Sequence, residues 1–262
     1  RWELVALRTA EELTRRDRER RPDVGACAVP VPVAGGAAFY CGVGSPLTHA
    51  IAVGRHGVLG EEDLDTIERF YAPFETPIEI DISPLVDPTI EERLTERGYR
   101  PTAEEVVFHR PLSSELPPEP DRDDIRIRLL EPSEAEVHAQ VLATAIAAPE
   151  PPSSVLLEVG RTCLAVPSSR FYVAEQDGVP IATASTGRDG ETASLFGGAT
   201  LPSERRRGLQ GMLIAARLHD LARAGATEAI VVASPGTSSA RNAERAGFRP
   251  LYSRTVWVSP SV

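Results

Sequence analysis

The clearest helical pattern runs from Leu209 to Ala224, where Leu213, Leu218 and Leu221 recur among polar residues at helical spacing. Upstream, the pattern predicts a strand over Ile125 to Leu129 and helices over Ser133 to Ile146 and Ser153 to Val159. Phe171 to Glu175 and Pro180 to Thr186 flank the turn sequence Gln176-Asp177-Gly178 and predict a hairpin. Thr192 to Leu201 predicts another strand, interrupted by Gly197-Gly198. Adjacent glycines inside a strand suggest a bulge or the close approach of another backbone or a ligand.

The first half echoes the second. PIEIDISP, a helical segment, ERGYRP and the strand-like EEVVFHR match, in order, EAIVVASP, a helical segment, RAGFRP and LYSRTVW. Each set is a buried strand, a Ser-Pro turn, a short helix stopped by glycine, and a final strand. The order predicts a duplicated domain of mixed α/β type. Between the copies lies SSELPPEPDRDD, Ser113 to Asp124, which is polar, rich in proline and without apolar period. The expected division is 1–113, a linker at 114–124, and 125–262.

Composition narrows the chemistry. Of 262 residues, 42% are hydrophobic, enough for ordinary cores, and the longest apolar runs are strand-length, too short to span a bilayer. The net charge of −10 argues against nucleic acid or an anionic membrane as partner. All 28 basic residues are arginine. Schiff-base lysine chemistry and the lysine of a nucleotide phosphate loop are therefore excluded. An anion site must use arginine or backbone N–H groups. Cys27, Cys41 and Cys163 form neither a disulfide framework nor a zinc pattern, and the five histidines are scattered. The expectation is reduced thiols, a cytoplasmic setting and no metal.

The informative stretch is LPSERRRGLQGML, Leu201 to Leu213. A strand ends, an arginine-rich loop follows, and Gly208 opens the long helix. First-turn N–H groups lack partners within a helix, and the helix dipole is positive there. Glycine lets backbone approach a bound anion closely. This order of features suits a diphosphate.

The stretch resembles the signature of the GNAT acetyltransferase superfamily, Arg/Gln-x-x-Gly-x-Gly/Ala after the fourth strand. Here it reads Arg205-Arg206-Arg207-Gly208-Leu209-Gln210, then Gly211, with Gln210 in place of a small residue. The resemblance extends over about residues 125 to 258 in the order of strands and helices. It implies two domains, each a mixed, mostly antiparallel sheet flanked by helices. It also implies acetyl-CoA or a related acyl-CoA as co-substrate, its pyrophosphate on the backbone of Arg206 to Gly211. The pantetheine arm would pair with the preceding strand at Ala199 to Leu201, through Ala199 and Leu201 with Thr200 between them. The glycine bulge would splay that strand from Glu228 to Val232 and admit the acyl group. Ser234, Thr237 and Asn242, around the start of the last helix, either contact the cofactor or cap that helix.

Two catalytic positions of the family are vacant. Its tyrosine acid would stand at Ala243, and its strand base at Ser194. Tyr252 is the candidate substitute acid, against an ordinary strand tyrosine. Ser194, Glu175 and a held water are the remaining candidates for proton transfer, with His138 and Cys163 as alternative site-lining groups.

The first half has no such signature. After a strand expected over Leu47 to Val53, GRHGVLG precedes Glu61, Glu62 and Asp63, whose carboxylates would satisfy the helix dipole and repel a pyrophosphate. One cofactor site per chain is expected, with the first half a degenerate copy that walls off an acceptor pocket. The function implied is transfer of an acyl group from acyl-CoA to a small-molecule amine by a monomer or homodimer. The alternatives are a non-catalytic acyl-CoA sensor, O-acylation and decarboxylation.

Overall fold

The computed structural model describes residues 2–21 and 27–260. In chain order, α1 (Trp2–Arg20) precedes β1 (Val31–Val33), β2 (Gly36–Ala38), β3 (Ala50–Ile51), α2 (Glu61–Tyr71), β4 (Glu79–Ile82), α3 (Thr89–Glu96) and β5 (Arg100–Pro111). The second half comprises β6 (Arg126–Leu129), α4 (Ala135–Ala147), α5 (Ser154–Cys163), β7 (Ser169–Gln176) and β8 (Val179–Asp189). It continues with β9 (Thr192–Thr200), α6 (Leu209–Arg223), β10 (Glu228–Ala233), α7 (Ser238–Arg245) and β11 (Arg249–Val258).

Among the described residues, eleven strands form one sheet in the order β1-β2-β3-β4-β11-β5-β10-β9-β8-β7-β6. The final strands of the two halves have changed places. β5 lies between β10 and β11, antiparallel to both, and β11 lies between β4 and β5. The halves therefore share a continuous hydrogen-bonded ladder, which the expected division at 113 does not convey. Trp257, on β11 of the second half, is buried in the first half's core with Ile80, Leu94 and Tyr99.

Helices cover both faces. α6 and α7 pack under the second half of the sheet, with Leu218 and Leu221 in a core with Ala193, Leu195, Ala229 and Phe248. On the other face, α1 bridges the halves. Its Leu7 and Ala10 bury against Phe39 and Ile51, while Leu13 joins Cys163, Phe171 and Val173.

Most second-half expectations agree with the structure to within a few residues. The helix expected from Ser133 begins at Ala135, after a short 3₁₀ turn at Pro132–Glu134. Ser153 caps α5, its hydroxyl accepting from Leu156 N–H at 3.2 Å, and the helix continues to Cys163 rather than ending at Val159. The strand expected over Leu47 to Val53 contracts to Ala50–Ile51.

The cysteine expectation is corrected: Cys27 and Cys41 are joined in a disulfide. Ala28 N–H donates to Tyr40 O at 2.9 Å, which lays the two segments side by side. Spacing along the chain does not reveal this pairing. The argument for a cytoplasmic setting from unpaired thiols falls with it. Among the described residues, no helix is long and apolar enough to cross a membrane.

Candidate active site

β9 and β10 run parallel, but they pair only from Thr192 opposite Glu228 to Leu195 opposite Val231. Beyond Leu195 the strands part. On the other side of β9, the pairing with β8 shifts register where Gly197 and Gly198 intervene between Phe196 and Ala199. This is a β-bulge, and Gly197 carries the left-handed backbone (φ 59°). A side chain at Gly197 would also press on Ser185 Oγ, 2.9 Å from the Cβ position. The bulge turns β9 away and opens a cleft of about 650 Å³ between the parted strands.

α6 closes one end of the cleft. Gly208 stands at its N-cap with φ 80°, and Arg206 is likewise left-handed at φ 65°. The first ladder bond is donated by Met212 N–H to Gly208 O, so the N–H groups of Leu209, Gln210 and Gly211 precede the ladder. Gly208 and the Arg206 side chain are exposed. A loop of this form presents backbone donors and positive potential to an anion.

The three loop arginines have different partners. Arg205 Nη2 donates to Ala145 O at 2.9 Å and fastens the loop to α4. Arg207 donates to Gln176 Oε1 at 2.9 Å and pairs with Glu204 and Asp124. Arg205 and Arg206 border the cleft.

Residues 139–248 match the family model described as the acetyltransferase (GNAT) family. This part of the chain is similar to the GNAT family. A search of curated proteins finds no match. Among solved structures, a GCN5-related N-acetyltransferase from Kribbella flavida is 18% identical, with TM-score 0.67 over 95% of this chain and 96% of that one. A tandem GNAT protein from the clavulanic acid biosynthesis pathway is 16% identical, with TM-score 0.62 over 95% of this chain and 87% of that one. A GCN5-related N-acetyltransferase from Sphaerobacter thermophilus is 17% identical, with TM-score 0.58 over 82% of this chain and 73% of that one. At these identities, the likeness is one of fold.

Within the matched region, the cleft gathers Ala199, Thr200, Arg205, Arg206, Gln210 and Asn242 from the expected cofactor residues. Leu209 contributes backbone only, since its side chain is buried with Leu213 in the core. Ser234 is exposed and lies outside the lining, and its carbonyl accepts the Thr237 hydroxyl at 2.7 Å. Thr237 in turn caps α7, accepting from Ala240 N–H at 3.2 Å.

The expected strand pairing needs correction. Leu201 N–H donates to Ile181 O at 3.0 Å, toward β8 rather than the cleft. Ala199 O accepts the Gln210 side-chain amide at 3.0 Å. Peptide edges alternate along a strand, so Thr200 turns its edge toward the cleft. Gln210 also donates to Thr200 Oγ1 at 3.0 Å. The residue that departs from the family signature thus fills the bulge.

The acid and base candidates are dispersed. Ala243 lines the cleft and offers only a methyl group where the family places its phenol. Tyr252 is on β11 and outside the cleft lining, its hydroxyl donating to Glu3 Oε1 at 3.1 Å. Burial, reinforced by Glu3, raises its pKa further above the ordinary phenol value. Ser194 Oγ lies beside Gly187 close to Thr9 of α1, on the face away from α6. Glu175 is removed from the proton-transfer candidates by its position on β7, paired with Arg128 at 2.6 Å. His138 is buried, its Nδ1 2.7 Å from Thr183 Oγ1, and burial lowers its pKa to about 4. Cys163 is a core residue whose thiol is pushed up to about 12 by burial.

The sequence reading missed Arg217. It lines the cleft from the third turn of α6 and is only 3% exposed. Its Nε donates to Leu213 O at 3.1 Å, and Nη1 donates to Ser185 O at 3.0 Å. A signal was available: an arginine between Leu213, Ile214, Leu218 and Leu221 occupies an apolar position of the helix.

In the first half, α2 begins as expected with Glu61, Glu62 and Asp63 in its first turn. Asp63 Oδ2 accepts Gly60 N–H at 2.9 Å, so the helix start is satisfied by its own carboxylate.

Proposed function

We propose that this protein transfers an acyl group from acyl-CoA to the amine of a small molecule, within a ternary complex in the second half. The observation that carries this reading is the opening between β9 and β10, closed by the unpaired first turn of α6. A diphosphate fits that turn because Gly208 and Arg206 expose backbone donors beside a guanidinium. The cleft leads from this turn toward Leu195 and Val231, where the strands meet. Acyl-CoA supplies an activated thioester. The chain supplies position: α6 holds the anionic end, the edge of Thr200 aligns the arm, and Gln210 fills the bulge on the opposite edge of β9.

The amine must lose a proton, and the departing sulfur must gain one. Ala243 cannot donate it, and Glu175 is held by Arg128. In this reading, water in the cleft and the acceptor itself move the proton, without a dedicated side chain. The first half has a supporting role, with α1 packed across both cores and the acidic start of α2 excluding a second diphosphate. The methyl of Ala243 in the cleft also favours a second reading, in which the domain binds acyl-CoA without turning it over.

Incubation of the full chain with acetyl-CoA and a panel of primary amines distinguishes the two. Amine-dependent appearance of free thiol supports transfer. Saturable acetyl-CoA binding with no thiol release under any amine supports the binding module. Absence of binding to acyl-CoA contradicts both readings.

A further inference from the structure

Arg217 carries a charge at the point where the cleft narrows. Leu195 opposite Val231 is the last pair joining β9 and β10, and Phe196 is the first residue beyond it. Arg217 Nη1 lies 3.4 Å from Phe196 O as well as 3.0 Å from Ser185 O. The guanidinium is therefore fixed at the apex of the splay. Eight residues separate Arg217 from Leu209, so it lies about 12 Å down the helix axis from the first turn.

Its surroundings are apolar. Ile214, Leu195, Val231 and Phe248 share this part of the cleft wall. Among the described residues, no carboxylate forms an ion pair with Arg217. The next acidic residue on its helix, Asp220, is paired with Arg223 at 3.2 Å. Burial alone lowers the guanidinium pKa to about 10, with a small opposing effect from the Tyr172 phenol. Arg217 thus remains charged at neutral pH, and its hydrogen-bond acceptors among the described residues are backbone carbonyls. Burying a cation without an anion is costly, and buried charges are ordinarily paired. In low-dielectric surroundings, an entering anion interacts strongly with such a group.

We propose that the cleft takes an acyl-CoA whose acyl chain ends in a carboxylate, which pairs with Arg217 at the apex of the splay. The proposal rests on the acyl-CoA reading above and specifies its substrate class. A diphosphate at the first turn and a carboxylate at Arg217 would be recognised at opposite ends of one cleft. The planar guanidinium is held by two backbone carbonyls on neighbouring strands, so its orientation is set before the ligand arrives.

The test compares succinyl-CoA with butyryl-CoA, which has the same acyl chain length but ends in a methyl group. Calorimetry on the full chain should give at least about tenfold tighter binding of succinyl-CoA, as a charge-assisted pair requires. The preference should vanish in Arg217→Met, with butyryl-CoA binding retained. Equal affinity for the two ligands in the wild-type chain would overturn the carboxylate proposal while leaving the acyl-CoA reading intact. If neither ligand binds, both fall. If Arg217→Met fails to fold, the wild-type comparison still decides the proposal.

Discussion

Gln210 reaches from the first turn of α6 to the carbonyl of Ala199, its amide nitrogen 3.0 Å from that oxygen. This contact closes the β9 bulge with a side chain where the family signature has a small residue. Ala199 O faces β8, so the contact props the bulge from the edge opposite the arm. Replacing Gln210 with Ala should therefore weaken acetyl-CoA binding by about fivefold, the equivalent of one neutral hydrogen bond. Calorimetry on the folded variant checks this. Tighter binding would mean that the Gln210 amide competes with the ligand rather than shaping the strand for it.

Gly208→Asp tests the other end of the cleft. A Cβ there meets no atom within 4 Å, but the backbone is left-handed at φ 80°. Stability should fall modestly, by about 1 kcal/mol, because a non-glycine residue is strained in that conformation. The new carboxylate should cost about 2 kcal/mol or more of acetyl-CoA affinity, a factor of about thirty. Thermal unfolding and calorimetry measure the two effects separately.

The exchange of β5 and β11 predicts that neither half is autonomous. Residues 114–262 alone would leave the edges of β10 and β11 without the strand that joins them. That fragment should lack a cooperative unfolding transition, and adding residues 1–113 should restore one. Cooperative unfolding of the isolated fragment, with acetyl-CoA affinity equal to that of the full chain, would contradict this account of the sheet.

Much of this architecture was legible in the sequence, for identifiable reasons. The periodicity of α6, the Asp177-Gly178 turn and the Gly197-Gly198 bulge are local features with local causes, and the structure contains each. The exchange was not legible, because β5 and β11 carry similar patterns and either could pair beside β10. Arg217 was overlooked because the helix reading weighed leucines and passed over the polar residue among them. The Cys27–Cys41 bond depends on the fold bringing together segments whose separation of 14 residues has no characteristic meaning. α1 is rich in charge, yet its buried positions Val5, Leu7, Ala10 and Leu13 lie on faces that only the assembled halves provide.

His138 should make stability depend on pH. Burial lowers its pKa from 6.5 to about 4, so the folded chain keeps the imidazole neutral where the unfolded chain protonates it. Its contribution is complete above about pH 6.5 and is lost as the pH falls toward 4. Between pH 7 and pH 5 the loss should be about 2 kcal/mol. Urea unfolding of wild type and His138→Gln at both pH values isolates the effect. An equal loss in the two proteins would assign the pH dependence to other groups.

The most direct test of the central claim is titration of the full chain with acetyl-CoA, alongside Gly208→Asp as a control. The account predicts one site per chain, with affinity sharply reduced in the variant, because the helix start at Gly208 is open to a diphosphate while the corresponding start of α2 is occupied by its own Asp63 carboxylate. Two equivalent sites, no binding, or undiminished binding by the folded variant would contradict it.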